Sequence, residues 1–266
     1  MENIIELEKL DKRTLAWDQS KLLERQCPIC LSDERNPVYQ RPDQLIVNLC
    51  RSCGLYYVSP SPSEQQLIEF YSGYWVHYGK TSQNIGLNAK PQIDVQNFLL
   101  DSFLFSEINS VRYIQGLKWC DIGCGLGNLL YAAQQSGAIA YGCDLDPDAV
   151  GYAKETLKLK NILHGDIFQF SSDSDLKFDI ISMMDFFEHP LNIGQTIAHA
   201  VHLLAPNGLL ALWTPNGSQF LKVLSPVALR VDLEHMQYIT HDALHYIAEK
   251  YNLRIIHLEE LVVCQR

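Results

Sequence analysis

The sequence predicts an α/β protein built on an open, mostly parallel sheet with helices on both faces, preceded by a small cysteine-rich module. Three observations predict it. Apolar segments ending in an acid recur between stretches of helical period, a glycine-rich turn joins the first such segment to its helix, and two Cys-x2-Cys pairs stand upstream. With 266 residues, 47% of them apolar, the chain can bury a full α/β core and carry one small extra module.

The stretch that organises the rest is Lys118-Trp119-Cys120-Asp121-Ile122-Gly123-Cys124-Gly125-Leu126-Gly127-Asn128, leading into the apolar helical run Leu129 to Ala133. A strand ending in Asp121 hands over to a helix through three alternate glycines. Gly123 and Gly125 let a ligand lie against the main chain, and the helix opening near Gly127 presents unpaired N–H groups. The dinucleotide fingerprint Gly-x-Gly-x-x-Gly fails on spacing. Counted from Gly123 its third glycine falls on Asn128, and counted from Gly125 on Leu130.

The segments downstream keep the same rhythm. Ile139 to Asp144 is a second strand ending in an acid, at about the twenty-residue distance where such folds set a carboxylate against ribose hydroxyls. Asp144 is therefore the ribose candidate, with Leu145 beside it. Asp146-Pro147 supplies an N-cap and a first-turn proline to a helix burying Ala149, Val150, Ala153 and Leu157. Ile162-Leu163 is a brief strand and Gly165-Asp166-Ile167 a turn, in which Asp166 is as well placed to cap its own backbone as to meet a ligand. The fourth strand, Phe178 to Met184, runs into Asp185-Phe186-Phe187-Glu188-His189-Pro190. Polar residues at the carboxyl end of a parallel sheet are site candidates.

Cys27-Pro28-Ile29-Cys30 and Cys50-Arg51-Ser52-Cys53 are separated by 19 residues. That spacing suits a tetrahedral four-thiolate zinc site of two knuckles, with Gly54 giving the second knuckle a permissive backbone. A closed four-thiolate site leaves no position for water, so this zinc is structural. Leu45 to Leu49 reads as a ribbon strand. The other cysteines, Cys120, Cys124, Cys143 and Cys264, read as small apolar residues, of which only Cys124 is expected to be exposed enough to react.

The rest of the chain is less specific. Residues 1–26 read as a helical arm with Ile4, Ile5, Leu7, Leu10, Leu22 and Leu23 on its apolar side, open to roles as lid, homodimer contact or packed arm. Residues 27–58 form the ribbon. Residues 59–117 hold a linker, a capping box at Ser63 to Gln66, an aromatic cluster from Tyr74 to Gly79 that reads as a lid or as the packing surface between ribbon and main domain, and a helix from Val95 to Ile114. Residues 118–266 form the sheet domain, with a helix from Asn192 to Leu204, a turn at Pro206-Asn207-Gly208, a strand Leu209 to Trp213, a helix His241 to Lys250 and a strand Leu253 to Leu258. His199 and His202 read as solvated. Little room is left for a final strand.

No apolar run approaches the roughly 18 residues of a membrane span, and the N-terminus has no signal-peptide core, so a soluble, cytoplasmic protein is expected. The net charge of -10 argues against broad phosphate-backbone binding and makes nucleic acid a disfavoured partner.

Asp121-x-Gly123-x-Gly125-x-Gly127 resembles the first motif of class I S-adenosylmethionine (SAM) dependent methyltransferases. With Asp144, Asp166 and Glu188-His189, residues 118–258 are similar to the small-molecule members of that family. The resemblance implies a Rossmann-like seven-stranded methyltransferase sheet, SAM as cofactor held by Asp121, the three glycines, Asp144, Leu145, Asp166, Ile167 and Asp185, and Asp166 against the adenine amino group. Asp185-x-x-Glu188-His189 also resembles the acidic signature of ubiquinone-pathway O-methyltransferases, where such residues hold a divalent ion. Here the first acid is Asp and Pro190 replaces a branched apolar residue, which speaks against a catalytic metal. Together with the ribbon, the chain is similar to methyltransferases of nucleotide-linked sugars, in which a Glu-His pair after the fifth strand serves the chemistry. Glu234-His235 matches that pair, while the further C-terminal domain of those enzymes has no counterpart in this sequence.

Displacement at a sulfonium needs a positioned acceptor, and a base where the acceptor is a hydroxyl. His189 beside Glu188 and His235 beside Glu234 are the two candidate bases. Two further readings stay open, a degenerate methyltransferase-like assembly module and an RNA methyltransferase. Retention of Asp121, the glycines and Asp144 favours the enzyme.

Overall fold

The computed structural model describes residues 5–6, 17–41, 43–71, 115–170, 176–219, 234–258 and 261–265. The expected lid at 74–79 and helix at 95–114 lie outside them, as does most of the 1–26 arm. In chain order the elements are β1 (Ile5–Glu6), β2 (Arg35–Gln40), β3 (Ile46–Cys50), β4 (Tyr56–Val58), α1 (Glu64–Tyr71), β5 (Lys118–Ile122), α2 (Asn128–Gln135), β6 (Ile139–Asp144), α3 (Pro147–Glu155), β7 (Asn161–His164), β8 (Phe178–Met184), α4 (Ile193–Leu203), β9 (Leu204–Trp213), β10 (Gln237–Tyr238), α5 (His241–Lys250), β11 (Arg254–Leu258) and β12 (Leu261–Gln265). Residue contacts divide the chain into two interleaved units. One takes Met1–Leu67, Asp185–Ile197 and Trp213–Leu253; the other takes Ile68–Met184, Ala198–Leu212 and Arg254–Arg266.

The second unit holds a seven-stranded sheet in the order β11-β12-β9-β8-β5-β6-β7. β5 pairs parallel with β6 on one side and β8 on the other, and β6 pairs parallel with β7. Strand order therefore reverses at β5, and the crevice at the carboxyl end of that strand is the place where such sheets bind ligands. The core is built by the predicted periodicity, with Leu129, Leu130, Ala132 and Ala133 of α2 and Val150 and Ala153 of α3 packed on Trp119, Ala140, Ile162 and Ile180 of the strands. Asp146 caps α3 through Asp148 N and Ala149 N, and Pro147 occupies the first turn. Asn207 turns left-handed (φ 63) within β9, where the sequence places a turn. The closing hairpin fits after all: β12 needs only five residues and pairs antiparallel with β11, a bulge between Ile255 and His257 absorbing the mismatch.

The first unit holds the five-stranded sheet β1-β2-β3-β4-β10. β2, β3 and β4 are the antiparallel ribbon, and β10, some 180 residues further along, adds to its edge with Gln237 opposite Tyr57 and Tyr238 opposite Tyr56. Residues 185–197 and 213–253, which the sequence places in the sheet domain, thus share a compact unit with the ribbon. In its described parts the arm is helical only at Gln19–Lys21, a single 3-10 turn capped by Asp18. Ile5 lies in a short strand, and Leu23 exchanges N–H···O bonds of 2.9 Å with Ser61, which only extended chain can do. The capping box at α1 forms as expected, Gln66 N donating to Ser63 Oγ and Ser63 N to Gln66 Oε1.

Candidate active site

At the carboxyl end of β5 the main chain turns through Gly123 (φ 72), Gly125 (φ 51) and Gly127 (φ 79). All three lie in the left-handed region that a Cβ disfavours, and at Gly127 a Cβ would also meet Leu159 Cδ1 at 2.7 Å and Ala153 Cβ at 3.1 Å. Gly127 is thus held both by the turn and by the packing of α2 on α3. Asp121 is buried opposite Ser182 of β8, whose hydroxyl donates to its carboxylate at 2.5 Å while accepting from Trp119 Nε1 at 2.9 Å. Burial, with the neighbouring Asp144 charge, pushes the Asp121 carboxyl up to about 7 against the opposing Ser182 bond. Asp144 ends β6 and receives Gly125 N at 2.7 Å on one oxygen and Asp146 N at 2.9 Å on the other. Burial raises its pKa while these N–H donors lower it. The carboxylate that spacing offers as a ribose candidate also fastens the glycine turn, which sequence spacing could not reveal.

Asp166 spends one oxygen on Phe168 N at 3.0 Å and is exposed, the capping arrangement that spacing left open. Ile167 beside it is buried, and Leu145 accepts His164 Nε2 on its carbonyl. Asp185, exposed and left-handed (φ 49), donates its N–H to Trp213 O at 2.8 Å.

Within the first unit, Glu188, His189 and His235 present their ligand-type atoms within 4.8 Å of one another. Glu188 Oε1 stands 3.9 Å from His235 Nε2 and 4.0 Å from His189 Nε2, and its other oxygen accepts the Thr214 hydroxyl at 2.8 Å. The two imidazoles meet edge to face at 5.0 Å. Glu188 is 1% exposed, and burial pulls His189 down to about 4, so that ring is neutral at neutral pH. The loops are sewn together through the main-chain carbonyls of the first: Met236 N donates to Glu188 O at 2.6 Å, and the Gln237 side-chain Nε2 donates to Phe187 O and Pro190 O at 2.7 and 2.8 Å. Glu234 is buried in the same stretch but outside the cluster of three.

The four cysteines converge as their spacing requires. Cys27 and Cys53 sulfurs lie 3.5 Å apart, Cys30 and Cys50 sulfurs 3.4 Å, and all four fall within 4.8 Å. A zinc thiolate tetrahedron with bonds of about 2.3 Å has edges of about 3.8 Å, so this set closes round an ion with little adjustment. The residues after the two knuckles, Leu31 (φ 61) and Gly54 (φ 76), both turn left-handed. The hydrogen bond with Cys53 holds the Cys27 thiol down to about 5.

Residues 95–258 match a family model described as "Methyltransferase domain". The chain belongs to this methyltransferase family. Its sheet is the class I SAM-dependent fold. Over 153 residues the methyltransferase is 27% identical to a ubiquinone biosynthesis O-methyltransferase of Aromatoleum aromaticum, covering 53% of this chain and 65% of that one. Over 139 residues it is 29% identical to the protein of the same name from Methylococcus capsulatus, covering 50% and 58%. It therefore spans less than two thirds of the length of these relatives. Among solved structures, magnesium protoporphyrin IX methyltransferase from Synechocystis PCC 6803 with bound SAH has a similar fold, with a TM-score of 0.52 at 16% identity over 76% of this chain and 99% of that one.

Several residues of the candidate site carried no signal in the sequence. Ser182 and Thr214 hold the buried carboxylates of Asp121 and Glu188, yet each is an ordinary hydroxyl at or near the end of an apolar strand. Ser182 could have been found from register, since it sits directly opposite Asp121. Cys124, expected to be exposed, is buried against the sheet, and burial raises its thiol far above the usual range, so it is not a reactive site. His199 is not simply solvated; its Nε2 meets Phe170 O at 3.1 Å. Among the described residues no helix is long and apolar enough to cross a membrane.

Proposed function

We propose that the protein transfers a methyl group from SAM to a hydroxyl of a small molecule, with amine or carbon acceptors and a nucleotide-linked sugar as the framework the resemblance suggests. The observation that carries this reading is the convergence of Glu188, His189 and His235 from two distant loops, one of which leaves the carboxyl end of β8 directly. In class I sheets ligands bind at those strand ends.

The residues fit SAM. Asp144 offers a buried carboxylate for ribose hydroxyls, the glycine turn has no side chain where the cofactor's main-chain contacts would fall, and Asp121, Leu145, Asp166, Ile167 and Asp185 surround these positions in sequence. Bound SAM would supply a methyl group already activated on a sulfonium. His235 takes the acceptor proton. Glu188, its Oε1 3.9 Å from Nε2, is close enough to stabilise the imidazolium that forms. Thr214 keeps Glu188 in place. His189, neutral and against both partners, packs the pair and excludes water. Glu234, buried next to His235 in the chain, is the acid of the Glu-His pair that the resemblance points to. In the same reading, Cys27, Cys30, Cys50 and Cys53 bind a structural zinc ion.

Calorimetric titration with SAM and S-adenosylhomocysteine tests the cofactor without knowledge of the acceptor. Micromolar binding that Asp144→Ala abolishes is the expected result; no binding of either would overturn the reading. An acceptor screen beginning with nucleotide-sugars then compares His235→Ala with His189→Ala. Loss of one well-placed general base costs about 10²–10⁴-fold in rate. That loss is expected for His235→Ala, and a smaller one for His189→Ala.

A further inference from the structure

Two arginines of the ribbon unit take no part in proton or methyl transfer, yet Arg41 is fully buried, Arg25 is half-buried, and both are aimed at the stretch carrying His235. Arg41 follows β2. Its guanidinium forks onto Asp43, Nε to Oδ1 at 3.1 Å and Nη2 to Oδ2 at 2.6 Å, with the two side chains 0% and 1% exposed. Its remaining arm, Nη1, donates to the carbonyl oxygen of His235. Arg25 stands ahead of the first cysteine. It donates from Nη2 to Met236 O at 2.6 Å and Gln237 Oε1 at 3.1 Å, from Nε to Val58 O at 2.8 Å, and from Nη1 to Leu191 O at 3.3 Å. One guanidinium thus ties the ribbon strand β4, the loop after Glu188 and the His235 stretch. Met236 O also accepts Val58 N at 2.8 Å, continuing the pairing of β4 with β10.

Burying a guanidinium is costly, and well-packed apolar side chains would stabilise the same space at least as well. What arginine adds is direction: a rigid planar fork fixes several acceptors at once. The acceptors chosen are consecutive carbonyls, those of His235 and Met236, whose placement sets the path of the imidazole toward Glu188. We propose that Arg25 and Arg41 are positioning residues for His235, through which the cysteine ribbon holds the base in line with Glu188. The proposal rests on the reading of His235 as the base and adds that the ribbon is part of the machinery that places it.

The test uses the full chain labelled on histidine and reads the imidazole cross-peaks by NMR, the His235 peak being identified by its loss in His235→Gln. Arg41→Met and Arg25→Met should move or broaden that peak. Arg41→Lys and Arg25→Lys keep the charge but not the fork, so they should move it less. SAM affinity should stay within about twofold in all four, because Asp121, the glycine turn and Asp144 belong to the other unit. An unmoved His235 peak in the folded Met variants overturns the proposal. If those variants do not fold, the Lys variants decide, an unmoved peak overturning it and a moved peak supporting it. The failures are separable. Absence of SAM binding by the unaltered protein, or full methyl transfer by His235→Gln, would sink the functional reading and leave the spectroscopic result standing as a statement about the ribbon alone.

Discussion

The two units of this methyltransferase solve the same problem, a buried carboxylate in a fixed place, by opposite means. In the sheet unit, Asp121 and Asp144 sit at the ends of neighbouring strands, and their partners are local or one register step away: Gly125 N, Asp146 N and the Ser182 hydroxyl. In the ribbon unit, Glu188 is held by groups from far along the chain, Thr214 and the His235–Gln237 stretch, with Arg25 and Arg41 behind them. The first arrangement follows from strand pairing that the whole sheet enforces. The second exists only while a small antiparallel ribbon keeps its shape, and a sheet that small needs a staple. On the proposed assignments, with Asp144 on the cofactor and His235 as the base, the cofactor side should therefore withstand insults that dismantle the base.

The largest test of that contrast is removal of a ribbon ligand. Structural zinc sites of this kind are bound with about 10–16 kcal/mol in isolated peptides, so losing one thiolate removes much of what closes the ribbon. Cys50→Ser should lose bound zinc and raise hydrogen exchange over β3 and β4. Because β10 pairs with β4, exchange should rise over 234–239 as well, while β5 and β6 stay protected and SAM still binds. Unchanged metal content would end the zinc assignment. Increased exchange confined to β3 and β4 would break the link from ribbon to base.

The same contrast explains what could be read from the sequence. The sheet unit was legible because its rules are local: an acid at or just past the ends of β5, β6, β7 and β8, glycines at alternate positions, Asp146-Pro147 opening a helix. The four cysteines were legible from spacing, and Glu188, His189 and His235 as separate candidates. Their meeting was not legible. No periodicity in Glu234 to Tyr238 announces that this stretch joins the edge of a ribbon that begins at Cys27, because edge pairing leaves only two residues of strand. The arginines were invisible for a related reason, since an arginine in a polar segment reads as solvated until its fork is seen closing on carbonyls. The apparent shortage of room for the last strand came from counting residues without allowing the hairpin its bulge.

A middle-sized effect probes the sheet unit through pH. Asp121 is carried from 3.8 to about 7 by burial, with Asp144 adding to the rise. A carboxyl raised in the folded state favours folding fully below its unfolded pKa and loses that contribution as pH climbs through the folded one. At 1.36 kcal/mol per unit this amounts to something on the order of 4 kcal/mol between about pH 4 and pH 7. The His189 contribution has the opposite sign, present above 6.5 and lost as pH falls through about 4, but it cancels when variants of Asp121 are compared with the parent. Asp121→Asn, uncharged and of the same shape, should therefore gain stability relative to the parent as pH rises from 4 to 7, read as a widening difference in denaturant midpoint. A constant difference across that range would show that Asp121 titrates normally.

The smallest effects set one helix cap of each unit against the other. Asp146 caps α3 through two backbone N–H groups at 2.8 and 3.1 Å. Thr240 caps α5 through Ala243 N at 3.0 Å, and its hydroxyl also donates to Gly54 O at 2.9 Å, at the second cysteine knuckle. Loss of a cap alone costs about 1 kcal/mol. Asp146→Ala should lower stability by about that much and leave the ribbon untouched. Thr240→Ala also takes the hydroxyl donor from the half-buried Gly54 carbonyl, which adds up to about 1 kcal/mol more, and Thr240→Ser should recover both bonds. If the ribbon unit depends on its own closure and the sheet unit does not, Thr240→Ala also weakens zinc retention under a competing chelator and Asp146→Ala leaves it unchanged. Equal chelator sensitivity in the two variants would mean that the ribbon's stability is set by the fold as a whole, and the division of labour between the units would fail at its most sensitive point.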